Sequence, residues 1–512
     1  MDGMMDRTGA SEDTPHAVII GSGFGGLATA IRLGARGYRV TVLEKLDGPG
    51  GRAYTFRQDG FTFDAGPTIL TAPHLFEELW ALCGRRFRDE IDLRPLDPFY
   101  SIRFDDGTWF RAWSNEADAR REIASICPAD IPGFDRFLAA SARIFEAAYT
   151  RLASEPFHDV SSLLAAAPDL IRLGGWRSVA GLVGDFFNDE KLRIAFSFHP
   201  LFVGGNPYTA SAYYCLISHL ERLWGVHHAI GGTGALVRGM ADLIEEQGSA
   251  IFFNSEVDEI LVEQGRACGV RLSDGRIIRA DIVVSNAEVG FTSRRLLRNA
   301  PAPLLRTRPE ALNHSMSLFV WYFGLNRQYK DVGHHTILMG SRYKGILDDI
   351  FRHHVIPNDF SLYLHRPTAS DPSLAPEGCD AVYVLAPVAN LDSGYDWENK
   401  ASVFRQKVAD RLEQTLLPGL RQHIVTERLM TPIDFQNRLN STKGAAFGPE
   451  PLLLQSAWFR PHNRSSRVKG LYLVGAGTHP GAGVPSVLCS AKVVDKLVPD
   501  ALALRESADQ AL

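Results

Sequence analysis

The chain has 512 residues, of which 45% are hydrophobic and 22% are charged, proportions that are typical of globular proteins and exclude disorder or a collagen-like repeat. This length suggests about three folding units. The 54 Lys and Arg residues are outnumbered by 59 Asp and Glu residues, giving a net charge of −5, whereas a nucleic-acid-binding protein would be strongly basic. We therefore expect no nucleic-acid partner.

The cysteine pattern and the apolar runs exclude further classes. The six cysteines are widely separated, so no spacing typical of a zinc site occurs and no metal is expected. Residues 1–15 are polar and lack the apolar core of a secretory signal, which predicts a short mobile tail. No apolar run reaches the roughly eighteen residues of a spanning helix, and attachment to a membrane surface stays open.

The first predicted elements form a βαβ unit. Residues 17–20 are a continuous apolar run of strand length, which is typical of a buried parallel strand. A glycine-rich turn leads into a helical pattern over 27–33 that ends at Gly37, and 39–44 form a second strand. All three fit within about thirty residues, the size of one βαβ unit.

The turn of this unit has the spacing G-x-G-x-x-G at Gly21, Gly23 and Gly26. The three glycines allow a tight turn, the close approach of a pyrophosphate and close packing of the helix on the strand. The phosphates would lie at a helix N-terminus, which favours anions. Glu44 follows at the end of the second strand, where a carboxylate binds ribose hydroxyls. The pattern predicts a bound dinucleotide but does not distinguish FAD from NAD.

The middle of the chain predicts a second domain inserted into the first. Residues from about 85 to 224 are predicted to be mostly helical, with loops at prolines. Short strands joined by tight turns follow over 251–284, an aromatic-rich strand over 317–323, and mixed strand and helix to about 460.

Two glycine loops outside the βαβ unit favour FAD. Residues 48–52 follow Glu44 and end in Arg52, whose planar guanidinium suits phosphate oxygens; the alternative for Arg52 is a surface ion pair. The apolar strand 471–474 runs into a glycine loop over 475–483 and a helix from about 485 to 497. NAD needs only one βαβ unit, whereas an extended FAD would reach this last helix, whose N-terminal end would stabilise a negatively charged flavin.

Three stretches carry a family resemblance: 60–68; 196–206 together with 231–236; and 453–461 running into 471–485. In these the chain resembles bacterial-type phytoene desaturases, flavoproteins of carotenoid synthesis in the amine-oxidase-like group. The resemblance implies an α/β fold with a discontinuous Rossmann-like FAD-binding domain (GR2 type), an inserted mixed α+β substrate domain and a helical membrane-facing region. The implied boundaries are 16–85, 225–290 and 462–505 for the FAD-binding domain, and 86–224 and 291–461 for the substrate and membrane-facing domain.

The resemblance also implies which residues hold FAD. Val257, after a predicted strand at 254–256, matches the backbone that meets the adenine. This sequence departs from the family at 486–489, where relatives carry smaller residues, so the packing of the last helix is expected to differ from theirs. The matching cofactor-binding positions are Gly21, Gly23, Phe24, Gly25, Gly26, Glu44, Lys45, Gly51, Arg52, Gly66, Pro67, Thr68, Val257, Gly475, Ala476, Gly483, Val484 and Pro485.

Phytoene, the implied C40 substrate, has no polar group, so its site must be an apolar tunnel. The candidate lining residues, each of which is equally well an ordinary core residue, are Phe186, Phe187, Phe196, Phe198, Leu201, Phe202, Tyr208, Tyr213, Tyr214 and Trp224. No catalytic acid or base is assigned. Glu221 and Asp159 are expected to pair with Arg222 or Lys191 or to be exposed, and His199 and His479 to be structural.

A substrate that resides in the bilayer implies a peripheral, monotopic protein on the cytoplasmic side of the cell membrane. The basic stretches 85–88 and 294–298 are candidate membrane-facing edges, and solvated helix faces are the alternative. Oxygen or a quinone is the expected electron acceptor. Other readings are a desaturase of a hydroxylated or C30 carotenoid, a redox-neutral isomerase, and a non-catalytic lipid-binding protein without flavin.

Overall fold

The computed structural model describes residues 14–157, 172–298, 312–501 and 503. The predicted tail lies almost entirely outside these ranges, as does Asp159. The strands are β1 (His16–Ile20), β2 (Arg39–Leu43), β3 (Thr55–Gln58), β4 (Phe61–Asp64), β5 (Leu93–Leu96), β6 (Tyr100–Arg103), β7 (Trp109–Ala112), β8 (Val226–Ala229), β9 (Ala250–Phe252), β10 (Val257–Glu263), β11 (Arg266–Leu272), β12 (Ile277–Arg279), β13 (Ile282–Ser285), β14 (Ser317–Leu325), β15 (His335–Leu338), β16 (Leu362–His365), β17 (Asp380–Val388), β18 (Ile424–Met430) and β19 (Leu471–Leu473).

The α-helices have the following bounds: α1 (Phe24–Ala35), α2 (His74–Leu82), α3 (Phe87–Glu90), α4 (Glu116–Ile126), α5 (Ile131–Phe145), α6 (Val179–Val183), α7 (Glu190–Ser197), α8 (Leu216–Trp224), α9 (Thr233–Glu246), α10 (Val289–Phe291), α11 (Tyr343–Asp348), α12 (Trp397–Thr415), α13 (Leu420–His423), α14 (Pro432–Leu439) and α15 (Val484–Leu497). Within the described ranges, no helix combines the length and apolar character needed to cross a bilayer.

A five-stranded parallel sheet gathers strands from distant parts of the chain, in the order β19-β13-β1-β2-β9. Strand β1 pairs with both β2 and β13, and β13 pairs with β19. Every residue of β1 is buried, which explains its continuous apolar run. Because the carboxyl ends of parallel strands meet at one edge, the loops that follow β1, β2, β13 and β19 lie side by side. The predicted βαβ unit and Rossmann-like fold are confirmed.

A small antiparallel sheet, β10-β11-β12, follows β9, as the short strands and turns of this region predict. The predicted strand at 254–256 is wrong. These residues form the turn between β9 and β10: Asn254 has a φ of 50°, and the Ser255 N–H donates to the Glu44 carbonyl at 2.8 Å.

The largest sheet has seven strands in the order β18-β14-β17-β16-β15-β6-β7. The prediction that 85–224 is mostly helical is wrong for 93–112, which forms β5, β6 and β7. Strand β6 pairs antiparallel with the neighbouring β7 and in parallel with β15, which lies more than two hundred residues later in the chain. Strand β14 is buried on both faces: Leu318 and Val320 pack in one hydrophobic cluster, and Phe319 and Trp321 pack in another with α12.

Candidate active site

A cavity of about 560 Å³ runs between the parallel sheet and the seven-stranded sheet, within the size range of small-molecule sites. Its lining begins at Gly21 and Glu44, beyond the carboxyl ends of β1 and β2, and extends to Leu318 and Val320 on β14. All of the predicted cofactor-binding residues except Gly26 line this cavity. A Cβ on Gly26 would lie 2.1 Å from the Gly21 carbonyl oxygen, so this glycine serves helix packing instead.

The glycine loop after β1 presents open backbone to the cavity. Gly21 has a φ of +92°, a conformation that side-chain-bearing residues rarely adopt. Gly23 is the N-cap of α1; no side chain among the described residues caps this helix, and its first turn contains no acidic residue. Gly50 and Gly51 approach the loop from the next turn, with the Gly50 N–H donating to the Ser22 carbonyl at 2.9 Å. An anion would find free N–H groups and a favourable helix dipole here.

The glycine loops from the two ends of the chain lie against each other. A Cβ on Gly25 would lie 3.2 Å from the Gly475 Cα. It would also lie 2.7 Å from Oδ1 of Asn286, and a Cβ on Gly475 would lie 2.8 Å from the same atom. Asn286 therefore contacts both loops and lines the cavity. Sequence reasoning missed it, although its place directly after a parallel strand was the available signal.

Glu44 is buried at the edge of the cavity, with 4% of its surface exposed. Its Oε2 accepts from the Ser22 N–H at 2.9 Å and from the Ser22 hydroxyl at 2.7 Å, and its Oε1 accepts from the Leu46 N–H at 2.9 Å. The next side chain, Lys45, donates from Nζ to Asn440 Oδ1 at 2.9 Å. The carboxylate is thus held in one orientation at the position predicted for ribose recognition.

Arg52 is not a surface ion pair. Its Nε donates to the Ala446 carbonyl at 2.8 Å, and one terminal nitrogen donates to the Ser441 hydroxyl at 3.0 Å. Burial lowers the pKa of this guanidinium, and the nearby Glu288 opposes that shift. The remaining N–H groups give the cavity a fixed, positively charged donor next to the uncapped helix.

The loop after β4 is held by hydrogen bonds to the start of α9 and to the seven-stranded sheet. Asp64 accepts N–H groups of Thr233 at 2.9 Å and Gly234 at 3.2 Å; its burial raises its pKa to about 6, although these bonds oppose the shift. Gly66 and Pro67 line the cavity. The Thr68 hydroxyl lies 2.8 Å from the Tyr363 hydroxyl, which joins the loop to the seven-stranded sheet.

Behind Tyr363 lies a cluster of buried histidines that sequence spacing could not indicate. Its hydroxyl is 2.7 Å from His335 Nδ1, and the Nε2 atoms of His334 and His365 are 3.1 Å apart. Ring nitrogens of His228, His334 and His365 lie within 4.8 Å of one another. Burial, and then the neighbouring imidazoles, lower the pKa of His334, His335 and His365, so these rings are uncharged near neutral pH. Because the Nε2 atoms of His334 and His365 are hydrogen-bonded to each other, we interpret the cluster as a neutral hydrogen-bond network that holds Tyr363 in place.

The C-terminal glycine loop ends at Gly483, the N-cap of α15, which no described side chain caps. Gly483 has a φ of 103°, and a Cβ there would lie 3.2 Å from Val203 Cγ1. His479 is buried and its Nε2 lies 3.1 Å from the Leu152 carbonyl; burial lowers its pKa to about 4, in keeping with a structural role. In the stretch 486–489, Val487 Cγ1 packs 3.2 Å from the Cβ position of Gly25.

The far half of the cavity is apolar, and half of the predicted tunnel residues line it. These are Phe198, Leu201, Phe202, Tyr213 and Tyr214. The others are core residues instead: Phe186 and Phe187 pack on Phe137, Phe187 stacks on Phe196 with ring centroids 4.5 Å apart, Tyr208 packs on Tyr343, and Trp224 packs on Phe145. The opposite wall, which sequence reasoning missed, consists of sheet residues: Met316, Leu318, Val320, Ile337 and Leu385.

Glu221 is the acidic residue of this apolar half, and the expectation for it is wrong. Lys191 pairs with Asp106 at 2.5 Å, and Arg222 donates to the Trp113 carbonyl at 3.5 Å. Glu221 is instead 3% exposed, and its Oε2 lies 3.1 Å from the Tyr100 hydroxyl and 3.4 Å from His199 Nε2. The expectation failed because sequence neighbours on a helix were taken as spatial partners.

The two basic stretches form ion pairs. In the first, Arg85 and Arg88 pair with Glu90 at 2.8 Å and Glu77 at 2.9 Å. In the second, Arg298 pairs with Asp258 at 2.7 Å. Their charges are partly neutralised, which fits solvated helix faces better than membrane-facing edges.

The donor set fits a dinucleotide with an extended shape. Two uncapped helix N-termini, one partly buried guanidinium and one oriented carboxylate open on the same cavity, and glycines lie where a Cβ would meet neighbouring backbone or Asn286. Apolar walls continue from there toward Phe198 and Phe202. This order suits an adenine nucleotide at one end, a flavin in the middle and an apolar substrate beyond it.

Comparison with known proteins identifies the family. Residues 24–494 match the family described as flavin containing amine oxidoreductase. A lycopene-forming phytoene desaturase from Pseudescherichia vulneris is 49% identical over 483 residues, covering 94% of this chain and 98% of the relative. A neurosporene-forming phytoene desaturase from Rhodobacter capsulatus is 47% identical over 500 residues, covering 96% and 95%.

The fold is also shared with solved structures. Cyclohexylamine oxidase from Brevibacterium oxydans has a TM-score of 0.60 at 16% identity, covering 97% of this chain and all of that one. The protein is an oxidoreductase with a flavin cofactor. The chain belongs to the flavin-containing amine oxidoreductase family, and within it to the bacterial phytoene desaturases.

Proposed function

We propose that this protein desaturates phytoene with FAD in carotenoid biosynthesis, by successive dehydrogenations that lead to ζ-carotene, neurosporene or lycopene. The observation that carries the proposal is one continuous cavity with glycine loops at one end and aromatic and aliphatic walls at the other. The relatives that form lycopene and neurosporene, which the chain matches along nearly its whole length, support the same substrate.

We assign the predicted cofactor residues to parts of FAD. Glu44 and Val257 would meet the adenosine, and the N-terminus of α1 with Arg52 would meet the pyrophosphate. The loop 66–68 and the start of α15 would flank the flavin. Bound FAD would supply a two-electron acceptor for a hydride from a carbon next to the conjugated triene. The uncapped N-terminus of α15 favours negative charge at that place.

The walls of the cavity orient the substrate and exclude water. A hydrocarbon offers no hydrogen bonds, so its position depends on shape and on the burial of apolar surface. Phe198 and Phe202 on one wall and Leu318 and Val320 on the other give such a slot.

We infer that the FAD-binding domain comprises 16–85, 225–290 and 462–505, and the substrate and membrane-facing domain 86–224 and 291–461. The five-stranded parallel sheet supports the first set, since all of its strands come from those three segments.

We infer further that the protein docks on the cytoplasmic surface of the cell membrane. Trp176 and Leu454 are both 71% exposed, an unfavourable state for large apolar side chains in water, and each is close in sequence to a cavity-lining residue, Leu173 or Leu453. An apolar rim at the cavity would let phytoene enter from the bilayer. Flotation with liposomes should carry the protein to the top of a gradient, and a Trp176→Ala, Leu454→Ala variant should remain in the soluble fraction.

The test of the proposed function is incubation of the FAD-loaded protein with labelled phytoene in liposomes. We expect products with longer conjugated chains and red-shifted spectra. Conversion only of a C30 or hydroxylated carotenoid, isomerisation without oxidation, or a colourless protein that takes up no flavin would contradict it. Electrons pass onward to oxygen or to a quinone, and anaerobic assays with and without added quinone distinguish these acceptors.

A further inference from the structure

Glu221 presents a carboxylate to the apolar half of the cavity. It lies on α8, and the same helix contributes Leu216, Ile217 and Leu220 to the cavity lining. These positions share one face of a helix, so Glu221 points the same way as its apolar neighbours. A charge is rarely placed on such a surface unless it is hydrogen-bonded or functional.

The two carboxylate oxygens of Glu221 are in different environments. Oε2 accepts from the Tyr100 hydroxyl at 3.1 Å, and His199 Nε2 lies 2.9 Å from that hydroxyl and 3.4 Å from Oε2. The His199 ring continues the chain to the Ser218 hydroxyl at 3.5 Å. Oε1 is buried and has no hydrogen-bond partner among the described residues. The carboxylate is thus oriented through one oxygen, and the other is left as a free acceptor.

A short helical segment links Glu221 to the end of the cavity that we assign to the flavin. His199 begins the short 3₁₀ segment His199–Val203. At the other end of that segment, Val203 Cγ1 is 3.2 Å from the Cβ position of Gly483, the N-cap of α15. Phe202, between them in sequence, packs on Tyr100 with ring centroids 6.2 Å apart. One helical segment therefore connects the carboxylate to the start of the last helix.

We propose that Glu221 is the catalytic base of the desaturation and accepts the substrate proton on Oε1. This inference rests on the proposed function. Each desaturation would remove two hydrogens from neighbouring carbons: one as a hydride with its bonding pair, which bound FAD would accept, and the other as a proton. The electron pair of the second C–H bond becomes the new C=C bond, and the proton forms an O–H bond with Oε1. Tyr100 and His199 are positioning residues that hold Oε2.

The other carboxylates that line the cavity are at its cofactor end. Glu44 is held by Ser22 and Leu46. Glu288 accepts from the Thr442 hydroxyl at 2.6 Å, and its charge favours the protonated form of the partly buried Arg52. Glu256 is solvent-exposed next to Val257. Only Glu221, among the carboxylates of the described cavity lining, is surrounded by the apolar substrate walls.

The test compares Glu221→Gln, Glu221→Asp and the exposed control Glu245→Gln. The amide keeps the shape and can still accept from Tyr100 but is a far weaker base, so we expect turnover to fall about 100-fold or more. FAD content, and the binding of a polyene product followed by its absorption, should stay within twofold of wild type. Glu221→Asp should recover part of the lost turnover, and the control should match wild type.

Near-wild-type turnover of Glu221→Gln would overturn the assignment. So would an equal loss in the Gln and Asp variants together with weaker polyene binding, because that outcome indicates a packing role. If Glu221→Gln does not fold, Tyr100→Phe replaces it: a loss of turnover with a changed pH profile supports the base, and an unchanged profile contradicts it. Absence of desaturation by the wild-type protein would instead refute the proposed function.

Discussion

Replacing Gly26 with alanine tests whether the tight turn before α1 is needed to hold FAD. A Cβ on Gly26 would lie 2.1 Å from the Gly21 carbonyl oxygen and 3.3 Å from Asn286 Cβ. Since the obstructing atom is backbone, the turn and the helix N-terminus must separate by about 1 Å to relieve the overlap. Overpacking of this kind typically lowers the free energy of unfolding by about 1–3 kcal/mol.

The same movement displaces the N–H groups at the start of α1 from the position of a pyrophosphate. Misplacement by about 1 Å can weaken an interaction that depends on geometry by up to 100-fold. We expect the Kd for FAD to rise by about 10- to 100-fold, equivalent to about 1.4–2.7 kcal/mol of binding free energy.

Gly34→Ala is the matched control, because it makes the same change on the same helix. Its Cβ would meet Gln247 Oε1 at 2.3 Å, the end of a side chain that can move, so FAD affinity should stay within about twofold. FAD titration followed by flavin fluorescence gives the Kd for FAD, and urea unfolding of the apoprotein gives the free energy of unfolding. Wild-type FAD affinity in Gly26→Ala, or equal losses in both variants, would refute the reasoning.

Three further predictions concern stability. Burial lowers the pKa of His335 from 6.5 to about 3, so below pH 6.5 the unfolded chain takes up a proton that the folded protein does not. Between pH 7 and pH 5 the free energy of unfolding should therefore fall by about 2 kcal/mol more in the wild type than in His335→Phe. Urea unfolding at the two pH values measures this difference. Phe187→Ala should lower the free energy of unfolding by about 3–5 kcal/mol at pH 7 without changing the carotenoid products, because the Phe187 ring is in the core and not in the cavity lining. Altered products would contradict this prediction. In Arg366→Met the buried Asp380 carboxylate loses the guanidinium that lies 3.1 Å away in the wild type. The free energy of unfolding should fall by about 3–5 kcal/mol, which lowers the melting temperature by several degrees. An unchanged melting temperature would contradict this prediction.

Local patterns predicted the FAD half of the fold. The strand, glycine turn, helix and second strand over 17–44 are successive in sequence, and Gly26 has a local steric reason, since a Cβ there would meet the Gly21 carbonyl oxygen. The last strand and helix were equally predictable from the local sequence. Their adjacency to the first loop follows from a shared parallel sheet. The place of Asn286 directly after β13 was visible in the sequence, but its contact with both loops depends on that sheet topology.

The substrate half was less predictable because its contacts are between distant residues. Strand β6 pairs with β15 from far along the chain, whereas its hairpin with β7 is local and its alternating buried and half-buried residues were an available signal. Aromatic residues near 196–214 lie both in the core and at the cavity, and no one-dimensional pattern distinguishes Phe187 from Phe198. Glu221 was assigned to its sequence neighbours, whereas Tyr100 and His199 reach it from other elements.

We infer that the glycine loops at opposite ends of the chain hold one FAD molecule between them. A crystal structure of the FAD-loaded protein tests it most directly. We expect continuous density from Glu44, past Gly25 and Gly475, to a flavin ring at Gly483. Density for the cofactor that touches only one of the two loops, or that lies outside this cavity, would contradict it.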